Sequence, residues 1–124
     1  MHADLLRSLN VEPAQTTVES VEIGTTFQTL KMAVSFEWSQ VRSIYPNMIK
    51  MAEVEGLPEV STHFNRAQNV DLGHLELLKE AVDRNGQIPQ RTYFICSECG
   101  NIMKTGKEAE CQICKAKKEK FEKV

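Results

Sequence analysis

No apolar run in the 124-residue chain approaches the roughly eighteen residues that a membrane-spanning helix needs. A dominant charge is also missing. Fifteen Lys and Arg face seventeen Asp and Glu, a formal net charge of -2, which leaves no electrostatic footprint for nucleic acid or an anionic membrane. The start, Met1-His2-Ala3-Asp4-Leu5-Leu6, has no basic segment, long apolar core or cleavage signal, so a cytoplasmic location is expected. Internal repeats are absent too. Four cysteines without an export signal argue against a disulfide framework and for metal or redox chemistry in a reducing compartment. What is present is ordinary: 41% apolar and 26% charged residues, in a length suited to one domain with at most a small appendage.

The cysteines carry the strongest signal. Cys96-x-x-Cys99 and Cys111-x-x-Cys114 are separated by eleven residues. Two residues between thiolates let a tight turn aim both sulfurs at one ion, and two such knuckles complete a tetrahedral S₄ site. That donor set suits iron and zinc alike. Tyr93-Phe94-Ile95 is β-prone, and the segment from 91 to 124 is too short for an ordinary core, so a metal staple is expected. Phe94 and Phe121 are its candidate apolar filling. The tail Lys115-Ala116-Lys117-Lys118-Glu119-Lys120 reads as a solvated basic surface.

Upstream, residues 1–24 form a short helix or extended arm with one apolar burst at Leu5, Leu6 and Leu9. Thr25 and Gln28 stand at capping-box spacing. Apolar residues then recur at Leu30, Val34, Val41, Ile44, Met48 and Met51 in steps of three and four, which predicts a helix of about eight turns. Pro46 should kink or loosen it, and Gly56 should close it. A second helix is predicted from Pro58 to Val82 with Val60, Phe64, Ala67 and Leu78 on one stripe. Asn85-Gly86 and Pro89 mark its exit.

Both stripes are interrupted by polar residues. Glu37 fills the gap between Val34 and Val41, and Asp71 and His74 occupy the centre of the second seam on one helix face. A carboxylate in an apolar seam is costly unless it is compensated. A shared divalent metal is the economical partner, set against the plainer reading in which Asp71 simply pairs with His74. Carboxylate plus carboxylate-x-x-His is half of the di-iron pattern of four-helix bundles. Two copies of the chain would supply four carboxylates and two imidazoles, whose charge balances two divalent cations. Two helices alone also bury their seams poorly, which independently argues for a homodimer. His2 and His63 lie off the seam and read as surface residues. Gln40 is a weak ligand or a hydrogen-bonding neighbour, and Trp38 points away from the Glu37 face.

Residues from about 21 to 124 resemble the C-terminal portion of the rubrerythrins. The resemblance runs through Ile23-Gly24-Thr25-Thr26, Glu37-Trp38-Ser39-Gln40, Ile44-Tyr45-Pro46, Glu53-x-Glu55-Gly56, Asp71-x-x-His74 and both cysteine pairs. It implies a mainly α fold: a ferritin-like helical hairpin that completes a four-helix bundle by dimerisation, plus a small rubredoxin-like β module stapled by metal. The divisions expected are an N-terminal arm (1–24), a ferritin-like half-bundle (25–86) and a rubredoxin-like domain (91–124). The resemblance further implies a non-haem iron peroxidase. Cys96, Cys99, Cys111 and Cys114 would hold iron, and Glu37, Asp71 and His74 would serve as both ligands and catalytic residues of a di-iron site shared across the dimer. Hydrogen peroxide would be the substrate, an electron-donor protein or reductase the partner, and nucleic acid and membrane would play no part. In that family one chain's cysteine-bound iron approaches the other chain's di-iron site. The family's first helix pair has no counterpart here. Gln40 and Asp71 stand where its pattern has Glu, and Lys115 stands where it has Gly. The alternatives are a rubredoxin-type electron carrier on a dimeric scaffold, and a structural zinc- or iron-binding dimer without peroxidase activity.

Overall fold

The computed structural model describes residues 2–20, 22–88 and 90–124. Met1 of the start motif and the exit signal at Pro89 lie outside the described residues. Helix α1 (His2–Ser8) ends where Asn10 adopts a positive φ of 57°, with the Val11 amide bonded back to the Leu6 carbonyl at 2.9 Å. Downstream come α2 (Thr26–Ser39), a π-helical turn (Gln40–Ile44) and α3 (Tyr45–Val54). Gly56 turns the chain with φ 70°, and α4 (Pro58–Asp83) returns along α2 and α3. The capping box at α2 forms as its spacing predicts: the Gln28 amide donates to Thr25 Oγ1 at 3.3 Å, and the Thr25 amide donates to Gln28 Oε1 at 2.9 Å. Among the described residues no helix is long and apolar enough to cross a membrane.

The π turn changes the helix phase, and its cause is Pro46. Proline has no N–H to offer the preceding turn, and its ring crowds the carbonyl four residues back. The Tyr45 amide reaches back to the Gln40 carbonyl, five residues away, and so bypasses Val41. The bypassed Val41 carbonyl is rescued from the neighbouring helix, where Gln68 Nε2 donates to it at 2.9 Å. One extra residue in the turn rotates everything after it by one position. The expected seam through Ile44, Met48 and Met51 is therefore corrected. Those side chains are 41%, 40% and 61% exposed, whereas Tyr45 and Ala52 are buried, with Ile49 half-buried between them.

The C-terminal module is a three-stranded antiparallel sheet in the order β2-β1-β3, with β1 Phe94–Cys96, β2 Ile102–Met103 and β3 Phe121–Lys123. Cys96, Cys99, Met103 and Cys111 form its core, with Phe94 and Phe121 packed against them. A side chain at Gly106 would meet the Phe94 ring at 2.7 Å, so any larger residue there would force the ring or the loop to shift. The core is continuous with the helices through Val70 of α4. Glu80 of α4 adds a surface clasp, accepting from Lys104 at 3.2 Å and pairing with Arg91 at 3.5 Å. The whole is a ferritin-like helical hairpin carrying a rubredoxin-like module.

Removing the Gln68 donor leaves the Val41 carbonyl unpaired, so Gln68→Ala should destabilise the fold by about 1–3 kcal/mol in urea unfolding. Pro46→Ala restores an amide at position 46. The penalty of Gln68→Ala should then shrink in the double variant, and a double-mutant cycle reads that coupling directly.

Candidate metal centres

Each cysteine knuckle is closed by an amide four residues after its first cysteine. The Gly100 amide donates to the Cys96 carbonyl at 2.8 Å, and the Lys115 amide to the Cys111 carbonyl at 2.9 Å. Both closing residues carry a positive φ, 80° at Gly100 and 64° at Lys115. Glycine takes that conformation freely, whereas lysine pays a steric penalty. The sulfurs meet at the centre, with Cys96 Sγ 3.6 Å from Cys114 Sγ and Cys99 Sγ 3.7 Å from Cys111 Sγ. A tetrahedron with metal–sulfur bonds of about 2.3 Å has edges of about 3.8 Å, so the spacing fits one enclosed ion. A disulfide would need sulfurs about 2 Å apart, and all four cysteines are free. The four ligand atoms lie within 4.8 Å of one another.

Backbone amides tune the sulfurs. Burial raises the Cys99 thiol strongly, against an opposing hydrogen bond from the Asn101 backbone. At Cys111 burial also raises the thiol, but the backbone groups of Cys114 and Ile113 overcome it and bring the group down to about 7. Asn101 Nδ2 adds a side-chain donor to Cys111 Sγ at 3.7 Å. Such donors stabilise thiolate charge and bear on the potential of a bound iron.

The second cluster lies between α2 and α4. Glu37 projects from α2, and Asp71 and His74 lie one turn apart on α4. Their side chains are 18%, 20% and 25% exposed, and one ligand atom from each lies within 4.8 Å of the others. His74 Nε2 lies 3.0 Å from the Gly100 carbonyl, which can only accept, so Nε2 carries the proton. In the neutral ring Nδ1 is then bare. It faces Asp71 Oδ1 at 3.7 Å and Glu37 Oε1 at 3.9 Å. The second Glu37 oxygen, Oε2, is buried with no hydrogen-bond partner. Acceptors thus converge on one point, which is the donor chemistry that a cation requires.

Electrostatics report the same deficit. Burial, with the neighbouring Asp71 charge, raises the Glu37 carboxyl above its ordinary value. Burial likewise raises Asp71, against the opposing pull of His74 and Tyr45. Tyr45 is pushed up to about 12 by burial and by its contact with the Asp71 carboxylate. An apolar cleft of about 450 Å³ opens beside the cluster, lined by Leu30, Leu77, Leu78, Tyr93 and Ile102 together with Glu37 and His74.

The structure brings together all four cysteines in one cluster and Glu37, Asp71 and His74 in the other. Gln40 is half-buried and opens the π turn, where its carbonyl accepts from Tyr45. Trp38 is 44% exposed under the cations of Arg42 and Lys79. Three contributors were not anticipated. Tyr45 enters through the phase shift, for which Pro46 was the available signal. Gly100 joins the two clusters by a contact between segments remote in sequence. His63, read as a surface residue, is half-buried against His2.

No family model matches the chain. It is 30% identical over 100 residues to rubrerythrin of Porphyromonas gingivalis, covering 74% of this chain and 49% of that one. It is 27% identical over 96 residues to rubrerythrin-2 of Clostridium acetobutylicum, covering 75% and 52%. The chain therefore spans about half the length of these curated relatives. In fold it is similar to nigerythrin in its fully reduced, all-ferrous state, with a TM-score of 0.84 at 22% identity over 98% of this chain and 60% of that one.

Two substitutions test these geometries. Lys115→Gly should stabilise the metal-loaded protein by about 1 kcal/mol in guanidinium unfolding, because it relieves the positive φ. Glu37→Gln should raise the melting temperature of metal-free protein near pH 7. A raised carboxyl in the fold means that folded protein holds this proton more tightly than unfolded chain does, so stability falls as pH rises past the ordinary carboxylate range. The gain should vanish near about pH 3, below the ordinary carboxylate range, where Glu37 is protonated in both states; at pH 7 metal affinity should fall more than about tenfold.

Proposed function

We propose, for a chain that is rubrerythrin-like in sequence and fold, a non-haem iron peroxidase that reduces hydrogen peroxide as a homodimer. The observation that carries the reading is the cluster of Glu37, Asp71 and His74, joined to the cysteine module by the 3.0 Å contact between His74 and the Gly100 carbonyl. One chain supplies half of a di-iron ligand set, and a second copy supplies the other half. Met32 and Phe36 support this pairing: they lie one turn apart on α2 beside Glu37, 49% and 63% exposed among the described residues.

Cys96, Cys99, Cys111 and Cys114 would hold one iron per chain, and the duplicated Glu37, Asp71 and His74 would hold two more per dimer. Iron held by these residues would supply the electrons for reducing peroxide to water. The chain's own residues set the conditions. Glu37 and Asp71 bring the negative charge that retains two divalent cations. The Gly100 carbonyl holds His74 in the tautomer that presents Nδ1 to the cluster, and its bonded path from Cys99 favours electron passage between the centres. The cleft places the apolar side chains of Leu30, Leu77 and Leu78 beside Glu37 and His74.

A second reading rests on Gln40 and Asp71, which replace the family's longer or charged ligands. In it the cysteine-bound iron is a one-electron carrier, and the helices serve as a dimer scaffold. Iron analysis and mass measurement on anaerobically prepared protein separate the two. The peroxidase reading expects a dimer with about two irons per chain, falling to about one in His74→Ala together with loss of peroxide turnover. About one iron per chain in the unmodified protein, all of it cysteine-bound, would favour the carrier.

A further inference from the structure

A row of apolar side chains runs down the outer side of α2 and α3. Met32, Phe36, Ile44 and Met48 are 49%, 63%, 41% and 40% exposed, and half-buried Gln40 stands between Phe36 and Ile44. Successive members are four residues apart, so the row reads Met-Phe-Gln-Ile-Met, alike in character from either end. A straight α-helix would carry such a row around its axis by about 40° per step. The π turn over Gln40–Ile44 is wider, takes part of that drift back, and keeps the five on one face. The residue inserted ahead of Pro46 thus has a second effect besides turning Tyr45 inward.

The row carries no formal charge. Lys31 is held over the Phe27 ring at 4.5 Å and Arg42 over the Trp38 ring at 4.7 Å, which keeps both cations off it. The cysteine module packs on α4 instead, through Val70. With Met51, 61% exposed just beyond its end, the row offers on the order of 500 Å² per copy of apolar surface. A pair of such rows would bury about 1,000 Å², the size at which specific interfaces begin.

The internal order of the row selects its partner. In an antiparallel pairing of two copies about a two-fold axis at Gln40, Met32 meets Met48 of the second copy, and Phe36 meets Ile44. Every apolar side chain then faces an apolar one, and the contact is isologous, as a closed dimer requires. Gln40 meets its own counterpart. A carboxamide both donates and accepts, so the two can bond across the axis, whereas two carboxylates there would repel. The axis also falls at the height of the half-site. Glu37 precedes Gln40 by three residues, about 4.5 Å along the helix, so the pairing brings both clusters of Glu37, Asp71 and His74 to one level. Each residue of slip in the pairing would part them by about 3 Å.

We propose that a second copy of this chain docks antiparallel on the row from Met32 to Met48, with Gln40 on the two-fold axis. The proposal rests on the homodimer of the peroxidase reading above and adds the contact surface and its register. It also gives Gln40 a role at the position where the family pattern has Glu.

The test is sedimentation equilibrium of the full-length, iron-loaded chain under anaerobic conditions. The unmodified protein should be a dimer. Ile44→Glu, which sets a charge against Phe36 of the second copy, should raise the dimer dissociation constant by about a hundredfold or more. Lys50→Glu, off the row, should leave it unchanged. Met32→Lys and Met48→Glu should each weaken the dimer by about tenfold, and the two combined in one chain should dimerise more tightly than either alone. These positions stand about 24 Å apart along one chain and meet only across the axis, so the rescue reads the register directly. Retention of the cysteine-bound iron in each variant reports that the chain is folded. A dimer unaffected by Ile44→Glu, or Met32→Lys and Met48→Glu penalties that merely add, would overturn this contact and leave the peroxidase reading standing. Unmodified protein that is a monomer would overturn both. Charge-pair rescue in a dimer that is inert to peroxide would support the contact and overturn the peroxidase reading.

Discussion

The buried oxygen of Glu37 that has no donor is the constraint around which the helical half of the molecule is arranged. A carboxylate removed from water needs compensation, and the nearest groups, Asp71 and the bare nitrogen of His74, are themselves acceptors. In the isolated chain this is a standing destabilisation, visible as carboxyl groups raised above their ordinary range. Such a cluster gives up stability that a positive charge placed among its acceptors would return.

The cysteine module depends on the same principle in a different chemistry. Its apolar filling is little more than Phe94, Met103 and Phe121, and its sulfurs sit at spacings that an ion rather than a covalent bond would hold. The module packs onto α4 of its own chain through Val70, and its Gly100 carbonyl orients His74. The family resemblance leads one to look for the cysteine centre near the other chain's helices. In this structure the knuckle touches His74 of its own chain. The two clusters are thus mechanically linked within one chain, and a shift in one knuckle would be felt at the imidazole.

Pro46 shows how a local rule propagates. Its missing N–H moves one hydrogen bond, the displaced bond strands a carbonyl, Gln68 crosses from α4 to satisfy it, and the re-phased helix turns Tyr45 inward. The periodicity of Leu30, Val34, Glu37 and Val41 was legible because the π turn shifts the phase only after Val41. Ile44, Met48 and Met51 continued the pattern on paper and failed in the fold, because an uninterrupted 3.6-residue period cannot register an inserted residue. His2 is exposed as its sequence position suggested, but its contacts with His63 and Tyr45 were invisible for a related reason, since they join α1 to α4 and α3.

From its residues alone this chain determined its helix caps, the paired cysteine knuckles and the anomaly of Glu37, Asp71 and His74 within apolar seams. Each of those depends on spacing along one segment, where bond geometry and periodicity are local. Tertiary structure alone decided which side chains meet: Gln68 with the Val41 carbonyl, Tyr45 with Asp71, His74 with Gly100, and His2 with His63. Those contacts join segments separated by 26 to 61 residues. Their existence depends on how helices rotate and pack, which no single stretch of sequence specifies.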